Sequence, residues 1–176
     1  WRFGIGRTFQ VAAIFRSMTV REHIQLTLLS DRRRLGGLWR PIKKQMVAEA
    51  DAVLARVGLM SQADRSAAVL AYADLKRLEL AVALANEPRL LLLDEPTAGM
   101  ADGERQALMA LARDLVRQQG MSMLFTEHDM DVVFGYADRV IVLHRGAVVA
   151  QGLPQQIRAD ARVQEIYLGA GSGEVH

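Results

Sequence analysis

Two adjacent carboxylates follow a short apolar run near the middle of this chain. Four consecutive leucines, Leu90 to Leu93, are followed directly by Asp94, Glu95 and Pro96. The run fits a buried strand of a parallel sheet, and open α/β sheets bind their ligands at the carboxyl ends of such strands. Asp94 at that position could hold Mg²⁺, and Glu95 could polarise a water molecule that attacks a γ-phosphate. The alternative is an Asp-Glu-Pro turn that caps the next helix.

A histidine follows a second apolar segment in the same way. Residues 121–126 form this segment, and His128 and Asp129 come just after it. A lone histidine is more often structural than catalytic, but after a strand His128 can donate a hydrogen bond to a γ-phosphate, with Asp129 beginning the next helix. The carboxyl ends of adjacent parallel strands meet at one edge of a sheet. The order therefore predicts that His128 converges there with the carboxylate pair.

Gln10 lies between a strand-like start and a long region of helical pattern. Its amide could ligate Mg²⁺ or water and relax when the γ-phosphate leaves, which would couple hydrolysis to movement of residues 11–87. The alternative is a polar residue that merely ends a strand. By itself Gln10 would not stand out. We nevertheless expect Gln10 at the same edge of the sheet as Asp94, Glu95 and His128, because all four follow predicted strands.

The elements that must position these residues follow from apolar spacing. Residues 1–10 and 88–168 carry the strand signals, and residues 19–86 are mostly helical in pattern, which predicts a helical subdomain over residues 11–87. Three helices are predicted, one that stops at Gly58, one through Leu84 and one from Gly103 to Gly120. The pattern predicts an α/β fold, with a mostly parallel sheet and an inserted α-helical subdomain, in a single domain over residues 1–176.

The end of the chain has a different pattern. Residues 139–143 and 147–150 alternate across Arg145 and Gly146 like a small hairpin. A final short helix is predicted from Val163 to Leu168. Residues 169–176, which are rich in glycine, are predicted to be a flexible tail.

Composition excludes several classes of function. The 176 residues fit one domain, and the net charge of +2, from 22 basic and 20 acidic residues, gives no global field that would demand nucleic acid. The chain has no cysteine, which excludes disulfides and thiolate metal sites. No apolar run approaches the roughly 18 residues of a spanning helix. A basic run over residues 32–44 could face phospholipid or a partner, although a solvated loop and helix face is favoured.

The order of these motifs resembles the nucleotide-binding domain of ATP-binding cassette (ABC) proteins, from its glutamine loop to its C-terminal end. The leucine run with Asp94 and Glu95 matches the Walker B strand of that P-loop NTPase fold, and the resemblance covers nearly the whole chain. Several phrases are similar to the ATPase subunits of branched-chain amino-acid importers and their urea/amide relatives. These phrases are Arg7-Thr8-Phe9-Gln10, Met18-Thr19-Val20, Ala98-Gly99-Met100, Glu127-His128-Asp129-Met130 and Tyr167-Leu168-Gly169.

The resemblance implies an ATPase that uses ATP and Mg²⁺. Asp94 and Gln10 are then metal ligands, Glu95 is the catalytic base, and Gln10 and His128 sense the γ-phosphate. Asp102 lies in a loop that crosses to the opposite subunit in the family. The alternative for Asp102 is a helix N-cap, and both can hold.

The family's signature motif, which grips the ATP of the facing subunit, corresponds to Leu70 followed by Ala71, Tyr72, Ala73 and Asp74. Ala71 stands where serine is usual, and Ala73 stands where glycine is usual. The serine hydroxyl is lost, and a Cβ is added where a phosphate approaches closely, although a helix N-terminus still favours an anion. These departures support a second hypothesis, a non-catalytic fragment or degenerate subunit that keeps the fold and the permease-docking surface.

The resemblance also implies partners. One partner is a second ABC ATPase subunit, identical or different. The others are membrane permease subunits, which contact the glutamine loop and the helical insertion. A periplasmic binding protein is involved indirectly, and no nucleic acid is expected. The subunit is expected to be cytoplasmic, at the inner face of the cell membrane. The family carries its phosphate loop upstream of the position of Trp1, and no Gly-Lys pair occurs in the sequence. The chain is therefore interpreted as a fragment that is inactive on its own.

Overall fold

The structure is a computed structural model that describes residues 5–7, 14–31 and 46–168. The chain divides into two compact units, Trp1–Glu127 and His128–His176. Gln10, the basic run over residues 32–44 and the predicted tail from residue 169 lie outside the described residues. The single-domain organisation, with residues 11–87 as an inserted subdomain, stays a prediction.

The first unit contains a parallel sheet. Its strands are β1 (Ile5–Arg7), β2 (Leu90–Asp94) and β3 (Ser122–Thr126), with β2 between the other two and parallel to both. Leu91 and Leu93 of β2 are buried on one face of the strand, whereas the alternate residues of β2 on the other face are only partly buried. The predicted α/β class with a parallel sheet is confirmed, and the Asp94 backbone pairs in register with that of Thr126.

The described part of the first unit contains four α-helices, of which the last three match the helices predicted from apolar spacing. They are α1 (Val20–Asp31), α2 (Val47–Arg56), α3 (Tyr72–Leu84) and α4 (Asp102–Gln118), and two short 3₁₀ turns, Met60–Gln62 and Ala67–Val69, connect α2 to α3. The prediction that one helix stops at Gly58 is confirmed, since α2 ends just before that glycine, whose φ is +73°. Three fully buried side chains, Ile24, Leu54 and Leu78, join α1, α2 and α3 in one core.

Two polar groups of α1 are held inside this helical layer. Arg21 Nε donates to Asp51 Oδ1 at 2.6 Å, and the same guanidinium pairs with Asp64. His23 is buried, and its Nδ1 lies 2.8 Å from the Thr19 carbonyl oxygen. Burial lowers the pKa of His23 below its usual value, because a charged imidazolium is poorly solvated there.

The second unit consists of short elements. They are α5 (Met130–Tyr136), β4 (Val140–His144), β5 (Ala147–Gly152), α6 (Pro154–Ala159) and α7 (Ala161–Val163), which continues as a π-helical turn over Gln164–Leu168. The predicted hairpin is confirmed, with β4 and β5 antiparallel. Arg145 and Gly146 both have positive φ, 48° and 80°, as expected of a two-residue type I′ turn. None of the described helices is both long and apolar enough to cross a membrane.

Candidate active site

The Asp94 carboxylate lies at the carboxyl end of β2, the central strand. It is half-buried, and its Oδ1 accepts a hydrogen bond from the Thr126 hydroxyl at 2.6 Å. Thr126 is the last residue of β3, so the neighbouring strand end supplies the group that orients this side chain. A hydroxyl that donates to a carboxylate at this distance makes a charge-assisted hydrogen bond.

The backbone turns away from the strand at Glu95. Its φ is +44°, in the left-handed region that a non-glycine residue rarely adopts. The Glu95 N–H donates to two acceptors of Thr126, the carbonyl oxygen at 3.1 Å and the hydroxyl oxygen at 3.2 Å. Sparsely populated backbone conformations persist only when the surroundings determine them, and they cluster at functional sites. The end of β3 therefore fixes both carboxylate-bearing residues.

A third carboxylate, Glu127, anchors the loop that follows Glu95. Its Oε1 accepts from the Thr97 N–H at 3.0 Å and from the Thr97 hydroxyl at 2.5 Å. Thr97 is only 2% exposed, so this contact lies in the interior. The other oxygen, Glu127 Oε2, is buried with no hydrogen-bond partner in the part of the chain that the structure describes. No role was predicted for Glu127 or Thr126, because only the register between β2 and β3 places them here.

The predicted signature segment forms the N-terminus of α3. Ala71 is the N-cap, with extended backbone (φ −63°, ψ 155°), and its carbonyl oxygen accepts the Leu75 N–H at 3.0 Å. Its methyl group supplies no side-chain hydrogen bond to the N–H groups of the first turn. A helix N-terminus carries partial positive charge from those N–H groups. Exposed Ala71 thus leaves an uncapped helix start that can receive an anion.

Tyr72 connects this helix start to the loop after Glu95. Its hydroxyl donates to the Ala98 carbonyl oxygen at 2.9 Å. The next residue of that loop, Gly99, has a φ of +75°, and a Cβ built there would lie 3.5 Å from the Tyr72 hydroxyl oxygen. The signature segment and the loop after the carboxylate pair are therefore in direct contact within one chain.

The other residues around the α3 start are held by side-chain contacts. Asp74 accepts a short hydrogen bond from Gln62 Nε2 and lies 3.7 Å from Arg77 Nη1, while Ala73 is partly buried. One turn further along, Lys76 Nζ pairs with Glu79 Oε2 at 3.2 Å, and both side chains are nearly buried. Burial raises the pKa of Glu79, although the charge of Lys76 opposes this.

Two further candidates, Asp102 and His128, stand at the starts of other parts of the fold. Asp102 is the first residue of α4 and its side chain is 92% exposed, paired with Arg105. The alternative that Asp102 is the N-cap is wrong, because Ala101 is the N-cap and Asp102 is already the first residue of α4. His128 is exposed and begins the second unit, where Asp129 caps α5 by accepting from two backbone N–H groups. Convergence of Gln10 and His128 with the carboxylate pair stays a prediction.

The donor groups at the strand end fit Mg²⁺ bound together with phosphates. Among the described residues, no group of three or more His, Cys, Asp or Glu side chains could hold a metal ion by itself. Mg²⁺ keeps most of its water and phosphate ligands and needs only one or two carboxylates from the protein. Asp94, oriented through one oxygen by Thr126, has the chemistry to supply one such carboxylate.

Known proteins share this fold and are similar to this chain in sequence. The ABC transporter family profile matches residues 1–98, and that of the branched-chain amino acid ATP-binding cassette transporters matches residues 147–172. Among solved structures, the ADP conformation of MJ1267, an ATP-binding cassette of an ABC transporter, has a TM-score of 0.80 and 30% identity over 96% of this chain and 69% of its own. For cbiO1 of Clostridium perfringens, part of the ABC transporter complex cbiONQ, the TM-score is 0.75 at 27% identity, over 96% of this chain and 66% of cbiO1.

The chain belongs to the ABC transporter ATPase family. Its relatives include the high-affinity branched-chain amino acid transport ATP-binding protein LivG of Escherichia coli, with 37% identity over 96% of this chain and 69% of LivG. BraF of Pseudomonas aeruginosa, which has the same description, is 36% identical over the same shares. The resemblance predicted from the sequence motifs is therefore confirmed.

Proposed function

We propose that this chain is part of the ATP-hydrolysing subunit of an importer for branched-chain amino acids or related small amino acids and amides. The observation that carries the proposal is the Asp94–Glu95 pair at the carboxyl end of β2, fixed by hydrogen bonds from the end of β3. The substrate class is taken from LivG and BraF, whose names describe branched-chain amino acid transport.

The proposed chemistry assigns one role to each side chain. Asp94, with Gln10, would hold Mg²⁺, which when bound neutralises charge on the phosphates. Glu95 accepts the proton of the attacking water, as a positioned general base does. Gln10 and His128 hydrogen-bond the γ-phosphate and register its departure. The reaction is ATP plus water to ADP plus phosphate.

Assembly would complete the site. In this proposal, the start of α3 from Ala71 to Asp74 faces the ATP of a second subunit, and exposed Asp102 reaches across the same interface. ATP would then drive closure of two subunits face to face over two nucleotides. The helical region over residues 11–87 would dock on membrane permease subunits and hold the protein at the inner face of the membrane. A periplasmic binding protein would deliver the substrate to the permease.

A second candidate is a subunit that keeps the fold and the docking surface but does not turn over ATP. Ala71 and Ala73 favour it. The N-cap carries no hydroxyl, and a methyl group occupies the first turn where the family usually has glycine. Both features weaken the grip on a phosphate at the α3 N-terminus.

The proposal is tested with Glu95→Gln in the full-length protein that carries this sequence. The variant should bind a fluorescent ATP analogue as the wild type does, while turnover falls by roughly 10²–10⁴, the usual worth of a positioned base. Glu87→Gln is the matched control, because Glu87 is also a glutamate in the left-handed region, with a φ of 47°, and is exposed after α3.

The outcomes separate the two candidates. Turnover that is unchanged in Glu95→Gln removes Glu95 from the role of base. A wild-type protein that binds the analogue but hydrolyses ATP no faster than a protein-free solution supports the non-catalytic subunit instead.

A further inference from the structure

We propose that Thr126 is a positioning residue for the Asp94–Glu95 pair, an inference that rests on the catalytic roles proposed for those two residues. One hydroxyl group contacts both of them. Thr126 Oγ1 donates to Asp94 Oδ1 at 2.6 Å and accepts from the Glu95 N–H at 3.2 Å. A threonine hydroxyl has a single proton, so donating it to Asp94 leaves the lone pairs for Glu95.

The two contacts differ in what they depend on. The Glu95 N–H also reaches the Thr126 carbonyl oxygen at 3.1 Å, and no side-chain change removes that acceptor. The contact with Asp94 depends on the hydroxyl alone. Loss of the hydroxyl should therefore leave the turn at Glu95 in place and release the Asp94 carboxylate from its fixed orientation.

Thr126 can be replaced with little effect on folding, because its side chain is exposed. Thr126 is an exposed residue at the end of β3. Replacement by valine keeps the β-branched shape that suits a strand, removes only the hydroxyl and leaves no buried cavity. A purely structural role would appear as lost stability, whereas a positioning role appears as lost turnover with the fold retained.

The expected effect follows from the sensitivity of catalysis to geometry. Misplacement of a reacting group by about 1 Å can cost about 10²-fold in rate. Thr126→Val frees one carboxylate without moving the strand, so we expect kcat for ATP hydrolysis to fall by about tenfold to a hundredfold. The KM for ATP should change much less, because Thr126 acts on the orientation of Asp94 and is assigned no contact with the nucleotide itself. Thr126→Ser, which keeps the hydroxyl, should restore kcat to within a few fold of the wild type.

The experiment compares Thr126→Val, Thr126→Ser and the wild type in the full-length protein. Ser122→Ala is the matched control, because it removes a hydroxyl from the opposite end of the same strand. Steady-state hydrolysis gives kcat and KM, and melting reports the fold. Binding of a fluorescent ATP analogue with and without Mg²⁺ gives a second readout that needs no turnover. In Thr126→Val the gain in affinity on adding Mg²⁺ should shrink, while Ser122→Ala behaves as the wild type.

The result that overturns the inference is a valine variant with wild-type kcat and the wild-type gain from Mg²⁺. A slow valine variant that melts at a clearly lower temperature and that serine does not rescue also overturns it. Failure of the proposed function looks different, because then Glu95→Gln itself leaves turnover unchanged. If Thr126 acts through Asp94, Asp94→Asn combined with Thr126→Val should hydrolyse ATP no more slowly than Asp94→Asn alone.

Discussion

Substitution at the N-cap of α3 should change both the thermal stability and the ATP turnover of the protein, and the two effects can be measured separately. Ala71 has the extended backbone and the carbonyl hydrogen bond of an N-cap but no side chain that can accept from the first turn. Serine at this position would place its oxygen within reach of the N–H groups of Ala73 and Asp74. Ala71→Ser should therefore stabilise the protein as well as restore the family's hydroxyl.

The magnitude follows from measured N-cap energies. Exchanging alanine for serine at an N-cap is worth about 0.5–2 kcal/mol. For a chain of this size, about 1 kcal/mol shifts the melting temperature by about 2–4 °C. Ala73→Gly acts in the opposite direction, because glycine in a helix costs about 1 kcal/mol relative to alanine. Ala71→Ser alone should raise the melting temperature, and Ala73→Gly alone should lower it. In the double variant the two shifts should nearly cancel.

Turnover should respond differently from stability. A serine hydroxyl that donates to a charged phosphate oxygen is worth about 1.5–3 kcal/mol, and removing the Cβ of Ala73 lets the phosphate approach. We expect the double variant Ala71→Ser with Ala73→Gly to hydrolyse ATP faster than the wild type while melting at a similar temperature. The assay is steady-state hydrolysis and thermal unfolding of the full-length proteins side by side.

The control is Ala107→Ser, the same chemical change at an exposed position inside α4. Serine is a poorer helix former than alanine there, so this variant should melt slightly lower. The reasoning about the cap is refuted if Ala71→Ser melts no higher than Ala107→Ser. The reasoning about catalysis is refuted if the double variant is no faster, and the non-catalytic candidate then loses its main support.

Two further predictions concern the helical layer. Burial lowers the pKa of His23, so as pH falls below the usual 6.5 the unfolded chain takes up a proton before the folded protein does, and the folded protein loses stability. Melting temperatures measured between pH 7 and 5 should therefore fall less steeply in His23→Asn than in the wild type. The control His144→Asn, at a half-exposed histidine, should show the same decline as the wild type. Arg21 bridges Asp51, whose side chain is 27% exposed, and Asp64, which is 83% exposed. Asp51→Ala should cost about 1–2 kcal/mol in denaturant unfolding and Asp64→Ala less than about 0.5 kcal/mol, because solvent screens the second pair; equal losses would contradict this account.

Local patterns predicted the elements better than the contacts between them. The leucine run before Asp94 and the Arg145–Gly146 turn carry their signals within a few residues, and β2 and the hairpin formed as expected. The helix α6 was missed, although Pro154 at its first turn is a known start signal. The cap of α4 was misplaced by one residue, because Asp102 suits the first turn as well as the cap itself.

The contacts that organise the candidate site could not be predicted from local pattern. The hydrogen bonds from Thr126 to Asp94 and from Thr97 to Glu127 join residues about 30 positions apart in the chain. They depend on the register between two parallel strands, which a single sequence does not encode in any short window. The placement of Gln10 and His128 around the site stays a prediction.

The left-handed backbone at Glu95 restricts how this position can drift over evolutionary time. A glutamate codon reaches glutamine, aspartate, glycine, lysine, alanine and valine by one base change. Glycine and aspartate tolerate a φ of +44°, whereas valine, branched at Cβ, is strained there. Lineages that lose hydrolysis at this residue but keep a folded subunit should therefore retain aspartate, glycine or an unbranched amide more often than valine. The φ of this one residue thus limits which substitutions at position 95 are compatible with a folded protein.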